Sequence, residues 1–176
     1  MAKSPEVSLS RRNLLRGKFG FARTNTSDAI RLPWSIGEQH FIDHCTRCNE
    51  CVSACPENII VKGNGGFPEL NFNLGECTFC QECLDSCNEP LFSDPSETKA
   101  WLYKAVIDDS CLAKNNVHCQ TCQDNCEPYA IAFPPRIGGA PQPKIDLFDC
   151  NGCGGCVKSC PSNSIKIILI NEGSHE

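Results

Sequence analysis

Aromatic residues are scarce in this chain, 7% of 176, and it has a single methionine. With so few large apolar side chains the core must be modest, and small domains of this kind depend on staples other than side-chain burial. Long apolar runs are missing too. No stretch approaches the roughly 20 apolar residues of a membrane helix, so no direct membrane span is expected and membrane contact would need a partner. The four histidines are scattered and the carboxylates fall on polar segments. No triad, paired acid and base, phosphate loop or flavin site can be assembled, and the polypeptide is not expected to be a free-standing enzyme. The turn Gly63-Asn64-Gly65-Gly66 lacks the GxGxxG spacing of a phosphate-binding loop, and no helix follows it.

What the chain has in excess is cysteine, sixteen residues or roughly 9%. Its organising stretch is Cys45-Thr46-Arg47-Cys48-Asn49-Glu50-Cys51-Val52-Ser53-Ala54-Cys55-Pro56, the CxxCxxCxxxCP pattern that holds a cubane iron–sulfur cluster. Three cysteines at steps of three let one short loop present three thiolates to one cluster, and the fourth reaches a neighbouring cluster. Pro56 is expected to open a helix after that fourth cysteine. The run returns at Cys150, Cys153, Cys156, Cys160 and Pro161. Between them lie Cys77, Cys80, Cys83, Cys87, followed by Asn88 instead of proline, and an irregular run of Cys111, Cys119, Cys122, Cys126. Every cysteine belongs to one of these four runs.

Such a cysteine content would also suit a disulfide scaffold, but disulfide frameworks scatter their cysteines, whereas these are bunched in four clips. Zinc sites take two CxxC pairs from two places, and a third cysteine at the next step of three exceeds that need. The pattern therefore predicts four [4Fe–4S] clusters, whose coordination supplies folding free energy. Repeats at first-cysteine intervals of 32, 34 and 39 residues favour two small modules. The expected fold class is α+β: two tandem bacterial-type 2[4Fe–4S] ferredoxin-like modules, residues 39–95 and 96–172, behind a basic N-terminal arm, residues 1–38.

In the two-cluster ferredoxin arrangement, three sulfurs of one run share a cluster with the last sulfur of its partner run. The sets would be Cys45, Cys48, Cys51 with Cys87, then Cys77, Cys80, Cys83 with Cys55, then Cys111, Cys119, Cys122 with Cys160, and finally Cys150, Cys153, Cys156 with Cys126. The hairpins described next favour this tandem pairing, while a nested pairing of the first run with the fourth and the second with the third stays open. Gly152, Gly154 and Gly155 let amides approach sulfur, which raises the reduction potential; simple turn geometry is the other reading. The Leu112 to His118 insertion is expected to make the third site more open or variable, the place for a labile cluster. His118 is read as a surface residue, since Rieske centres need two histidines, and Phe79 as packing on its cluster loop.

Along the chain, Ser10-Arg11-Arg12-Asn13-Leu14-Leu15-Arg16 looks like a twin-arginine export signal, but charges interrupt any apolar run after it. A cytoplasmic protein is expected, with a flexible basic arm and a short helix around Ser10 to Lys18. Pro33 predicts an extended connector, and Trp34 could anchor the arm. Ile59 to Lys62 and Glu69 to Phe72 read as strands of a hairpin, as do Ala130 to Phe133 and Lys144 to Phe148. Ser93 to Glu97 reads as a polar linker. Trp101 to Ile107 and Ser164 to Ile170 read as partner strands, and the tail from Asn171 should be frayed.

Residues 1–31 carry seven basic and two acidic side chains, a balance of +5 that leaves −10 for the remainder. If each cluster with its thiolates adds roughly −2, the body approaches about −18, a field that steers basic partners and repels nucleic acid. No nucleic-acid partner is expected.

The whole pattern resembles the ferredoxin-type F proteins of the bacterial periplasmic nitrate reductase (Nap) system. The resemblance lies in the Ser-Arg-Arg arm, Leu32-Pro33-Trp34, Cys45-Thr46-Arg47-Cys48, Gly65-Gly66-Phe67-Pro68 and Cys77-Thr78-Phe79-Cys80. It extends to Cys111-Leu112-Ala113, Cys119-Gln120-Thr121-Cys122-Gln123-Asp124 and Cys150-Asn151-Gly152-Cys153-Gly154-Gly155-Cys156. It implies a cytoplasmic protein with four [4Fe–4S] clusters that associates with the cytoplasmic precursor of the molybdenum-containing catalytic subunit. The implied task is to aid maturation of that subunit before export, by helping to insert or reduce its own cluster. The missing proline after Cys87 is the main departure and bears only on the local helix start. An electron-transfer subunit of a respiratory chain and a zinc-binding interaction module are the alternatives.

Overall fold

The computed structural model describes residues 29–170. The helix expected around Ser10 to Lys18 and the tail from Asn171 lie outside that range.

Each cysteine run folds into a loop followed by about one helical turn. After α1 (Glu38–His44) come α2 (Glu50–Ala54), α3 (Glu82–Asp85), α4 (Thr121–Asp124) and α5 (Gly155–Ser159). Each of these last four contains the third cysteine of its run and ends before the fourth. The helix expected after the fourth cysteine is therefore absent: Pro56 and Pro161 sit in turns instead. The physical reason is that proline offers no amide to continue the helix ahead of it. The backbone then reverses through the left-handed Asn58 and Asn163, whose amides donate to Cys55 O and Cys160 O at 3.1 and 3.2 Å. Asn88 in place of proline has no consequence for a helix start, since none is there.

Three antiparallel pairs connect the runs. β1 (Ile60–Lys62) and β2 (Pro68–Leu70) form the first hairpin, with Ile60 opposite Leu70. β4 (Ile131–Ala132) and β5 (Lys144–Ile145) form the second. β3 (Tyr103–Ile107) pairs over its whole length with β6 (Ile165–Leu169), as the branched residues on both sides of the second module predict.

The first module has a reduced version of this outer pair, a single bridge between Ser35 and Phe92. Residues 30–36, read from sequence as the end of the arm, thus pack on the first module. Arg31 bonds Glu38 at 2.7 and 2.8 Å, donates to Pro68 O and lies over the Phe41 ring. Trp34 anchors the segment as expected: its indole N–H donates to Thr98 O and its amide to Ala100 O. The connector is not extended, however. Pro33 and Trp34 form a turn, Trp34 takes a left-handed conformation at φ 61°, and the Ser35 hydroxyl donates back to Leu32 O at 2.7 Å. Burial of Pro33 and Trp34 under the 93–98 segment overrides the local preference.

The modules do not behave as beads on a polar linker. One contiguous set of buried side chains takes Leu32, Phe41 and Phe72 from the first and Ala105, Ile131 and Ile165 from the second. Trp101 stands at their seam, edge-on to Phe72 and Phe79 with centroids 6.3 and 5.2 Å away, and its indole donates to Asn151 O at 2.8 Å. Phe79, read from sequence as packing on its own loop, reaches across the seam and also meets Trp34 at 6.3 Å.

Candidate metal centres

The loops of the regular runs share one backbone trick. Arg47 and Asn49 in the first, Phe79 and Gln81 in the second, and Gly152 and Gly154 in the fourth all have φ between 56° and 84°. Left-handed residues at alternate positions help turn nearby amides toward a common concavity, the kind of nest that receives an anionic iron–sulfur group. The Phe79 amide faces the Cys77 sulfur and the Gly155 amide faces Cys153. In the third run Gln120, at φ −134°, departs from the pattern.

Around these loops the sulfurs gather in fours. Cys45, Cys48, Cys51 and Cys87 line one pocket, and Cys55, Cys77, Cys80 and Cys83 line another. Cys126, Cys150, Cys153 and Cys156 line a third. Cys111, Cys119 and Cys160 are close enough to Cys122 for their charges to act on its thiol. Within a module the gathering crosses runs, because α2 packs on α3 and α4 on α5. Nothing among the described residues gathers the first run with the fourth or the second with the third, as a nested pairing would require. Among the described residues no three His, Cys, Asp or Glu side chains converge on a point fit for a single ion; the sulfurs stand around a volume instead.

Electrostatics fits that volume to a cationic iron core. Burial pushes the thiols of Cys77, Cys83 and Cys156 up to about 12 and those of Cys51 and Cys122 up to about 11, and crowding by neighbouring sulfurs adds to it. Left to themselves these groups would stay protonated. Iron held here would supply the positive charge that makes them thiolates.

Cys160 is the exception. Burial alone would raise its pKa, but hydrogen bonds from Ser164 and Ser162 outweigh burial and hold it below the ordinary thiol value. The Ser164 amide and hydroxyl lie 3.4 and 3.3 Å from its sulfur and the Ser162 hydroxyl 3.6 Å. Ser164 is fully buried. Donors to a ligand sulfur favour the reduced cluster, so Ser164→Ala is expected to move one of four reduction steps to lower potential at unchanged iron content. A redox titration with all four steps unmoved would exclude the role. Sequence reading passed over both serines; the only signal was their spacing two and four residues beyond Cys160. It also passed over Lys104, whose ammonium donates to the Cys150 carbonyl.

The Leu112 to His118 insertion, expected to leave the third site more open or variable, is folded back on itself. Asn115 and Val117 amides bond Leu112 O at 3.0 and 2.9 Å, the Asn115 side chain donates to Asp109 O and Cys111 O, and Ala113 is fully buried. Small and amide side chains let the extra residues coil on themselves. His118 is exposed, as expected.

A family model described as a 4Fe-4S dicluster domain matches residues 44–89 and again 117–164. The chain is 47% identical over 160 residues to the ferredoxin-type protein NapF of Escherichia coli strain K12, spanning 91% of this chain and 94% of that protein. It is 48% identical over 164 residues to NapF of Haemophilus influenzae, spanning 90% and 93%. A more distant relative, the methylamine utilization ferredoxin-type protein MauM of Methylobacillus flagellatus, is 28% identical over 148 residues, 74% of this chain and 63% of that protein. Two dicluster domains and sixteen cysteines amount to four [4Fe–4S] clusters in two tandem ferredoxin-like modules, and the zinc alternative falls away.

Proposed function

Since this chain belongs to the NapF family of ferredoxin-type iron–sulfur proteins, we propose that it is a non-catalytic accessory protein that aids maturation or activation of the periplasmic nitrate reductase catalytic subunit while that subunit is still a cytoplasmic precursor. The observation that carries the reading is the 47–48% identity to NapF proteins over nine-tenths of the chain, together with the Nap-type features of the sequence. Among the described residues no helix is long and apolar enough to cross a membrane, and a cytoplasmic site of action suits a precursor as partner.

The ligand sets we propose are Cys45, Cys48, Cys51 and Cys87 for the first site and Cys55, Cys77, Cys80 and Cys83 for the second. Cys111, Cys119, Cys122 and Cys160 make the third, and Cys126, Cys150, Cys153 and Cys156 the fourth. When bound, each [4Fe–4S] group takes up or gives out one electron. The chain's own part is to hold sixteen thiolates, aim loop amides at their sulfurs and keep water from the buried members. We divide the molecule into modules 39–95 and 96–172 and an arm of residues 1–38 whose last part, residues 30–36, packs on the first module.

Purified protein is expected to bind the precursor of the catalytic subunit and not the exported, finished enzyme. Equal binding to both, or to neither, would defeat the maturation reading. A ferredoxin-type electron-transfer subunit is the second reading, favoured by direct contact between two cysteine loops of different modules. Its mark is reversible reduction of all four centres with transfer to a redox partner at catalytic rates.

A further inference from the structure

The contact between modules is made by the cluster loops themselves. The Cys77 amide donates to the Cys153 carbonyl at 2.8 Å, and these residues belong to the second and fourth sets. The loops approach this closely because of what the fourth run leaves out: a Cβ on Gly154 would collide with the Phe72 ring and one on Gly155 with the Glu76 carboxylate, both from the first module. Trp101 locks the seam from the side through Phe79 and Asn151 O. Within each module the remaining neighbours are fixed by helix packing, α2 on α3 and α4 on α5, which sets Cys51 near Cys83 and Cys122 near Cys156.

We infer that the Cys77–Cys153 hydrogen bond joins the modules into one electron path in which the sites follow the order first, second, fourth, third. The path does not follow the order of the chain. Its ends, by their place in that order, are the Cys45 set and the irregular Cys111 set; a donor meets one end and an acceptor the other. Tunnelling weakens steeply with distance and is helped by covalent and hydrogen-bonded links, and the Cys77–Cys153 contact is a direct hydrogen-bonded bridge between residues of the second and fourth sets. In each step one electron leaves the iron of one site and enters that of the next. No bond forms or breaks and no proton moves. A low-potential one-electron reductant supplies the first electron, and a one-electron acceptor takes the last.

The inference rests on the ligand sets proposed above, and one experiment separates the two. The native protein, fully reduced with titanium(III) citrate under nitrogen, is expected to give an electron paramagnetic resonance spectrum that needs coupling beyond two independent spin pairs. A spectrum accounted for by two isolated pairs would overturn the path. The doubly substituted Cys48→Ser, Cys119→Ser protein should then keep about half its iron and still show spin coupling, now between the second and fourth sites in different modules. The Cys80→Ser, Cys150→Ser protein should also keep half and show two uncoupled signals. Half the iron with no coupling in the first variant would sink the junction alone, whereas a Cys48→Ala, Cys87→Ala protein, whose two cysteines share the first set, should lose about one quarter of the iron, and loss of two sites in that variant would sink the ligand sets. If the variants do not fold, the native spectrum decides.

Discussion

Stripping the iron from this protein under nitrogen with a strong chelator is expected to unfold it, with near-complete loss of the far-ultraviolet helix and strand signal and of any cooperative melt. The four helices that carry the cysteines are four or five residues long and none has a side-chain cap. Isolated helices below roughly 12–15 residues do not hold in water, so these persist only because both ends are tied to the sites. The core has no independent reserve either. Cys83, Cys111, Cys122, Cys150 and Cys156 are among its buried members, and without iron they surround voids or face one another as neutral thiols. Structural metal sites contribute about 10–16 kcal/mol each in small zinc peptides, against a whole-domain stability of about 5–15 kcal/mol. Loss of one site on that scale would be felt throughout its module, since in the proposed sets Cys55 and Cys87 each link the run they end to the other run's site. An iron-free preparation that kept its circular dichroism and a cooperative transition would contradict the entire account of how the chain folds.

What sequence reading captured and what it missed divide along a physical line. The ligand pattern, the hairpins around Gly63 to Gly66 and Gly138 to Gly139, and the pairing of the Tyr103 and Ile165 strands all depend on spacing and propensity within a few residues, or on the repetition of a whole module. Trp34 stood out because a lone tryptophan beside a basic arm needs burial somewhere. The helix position was misread because CP was taken as a start, whereas in all four runs the residues between the third and fourth cysteines have just enough length for one turn. The interior of the 112–118 insertion was not legible because side-chain amides folding back on their own backbone leave no periodic trace. Non-local features left the least. Phe79 and Trp101 show their purpose only once two loops that lie more than 70 residues apart, at Cys77 and Cys153, are brought together. Ser164 reads as an ordinary strand start until its burial behind the Cys160 sulfur is seen.

Exchanging single residues between equivalent loop positions is expected to expose that non-local requirement. Asn49, Gln81 and Gly154 occupy the same place in their runs and have φ of 70°, 68° and 84°. Two of the three carry side chains, and asparagine tolerates the left-handed region well. Backbone strain therefore does not dictate glycine at 154. Phe72 does, because its ring occupies the space a Cβ would need and is itself 5% exposed. Gly154→Asn, the residue of the first run, should thus destabilise the holoprotein by about 1–3 kcal/mol through overpacking at the seam, read as faster iron release under nitrogen and earlier denaturant unfolding. Asn49→Gly, with no seam to disturb, should stay within about 1 kcal/mol, the backbone-entropy penalty of glycine. In a double-mutant cycle, adding Phe72→Ala to Gly154→Asn should cost less than the two changes separately, with a coupling of about 1–3 kcal/mol. Additive effects would place the burden of glycine in the loop's own turn, and the two modules would then owe their docking to Trp101 instead.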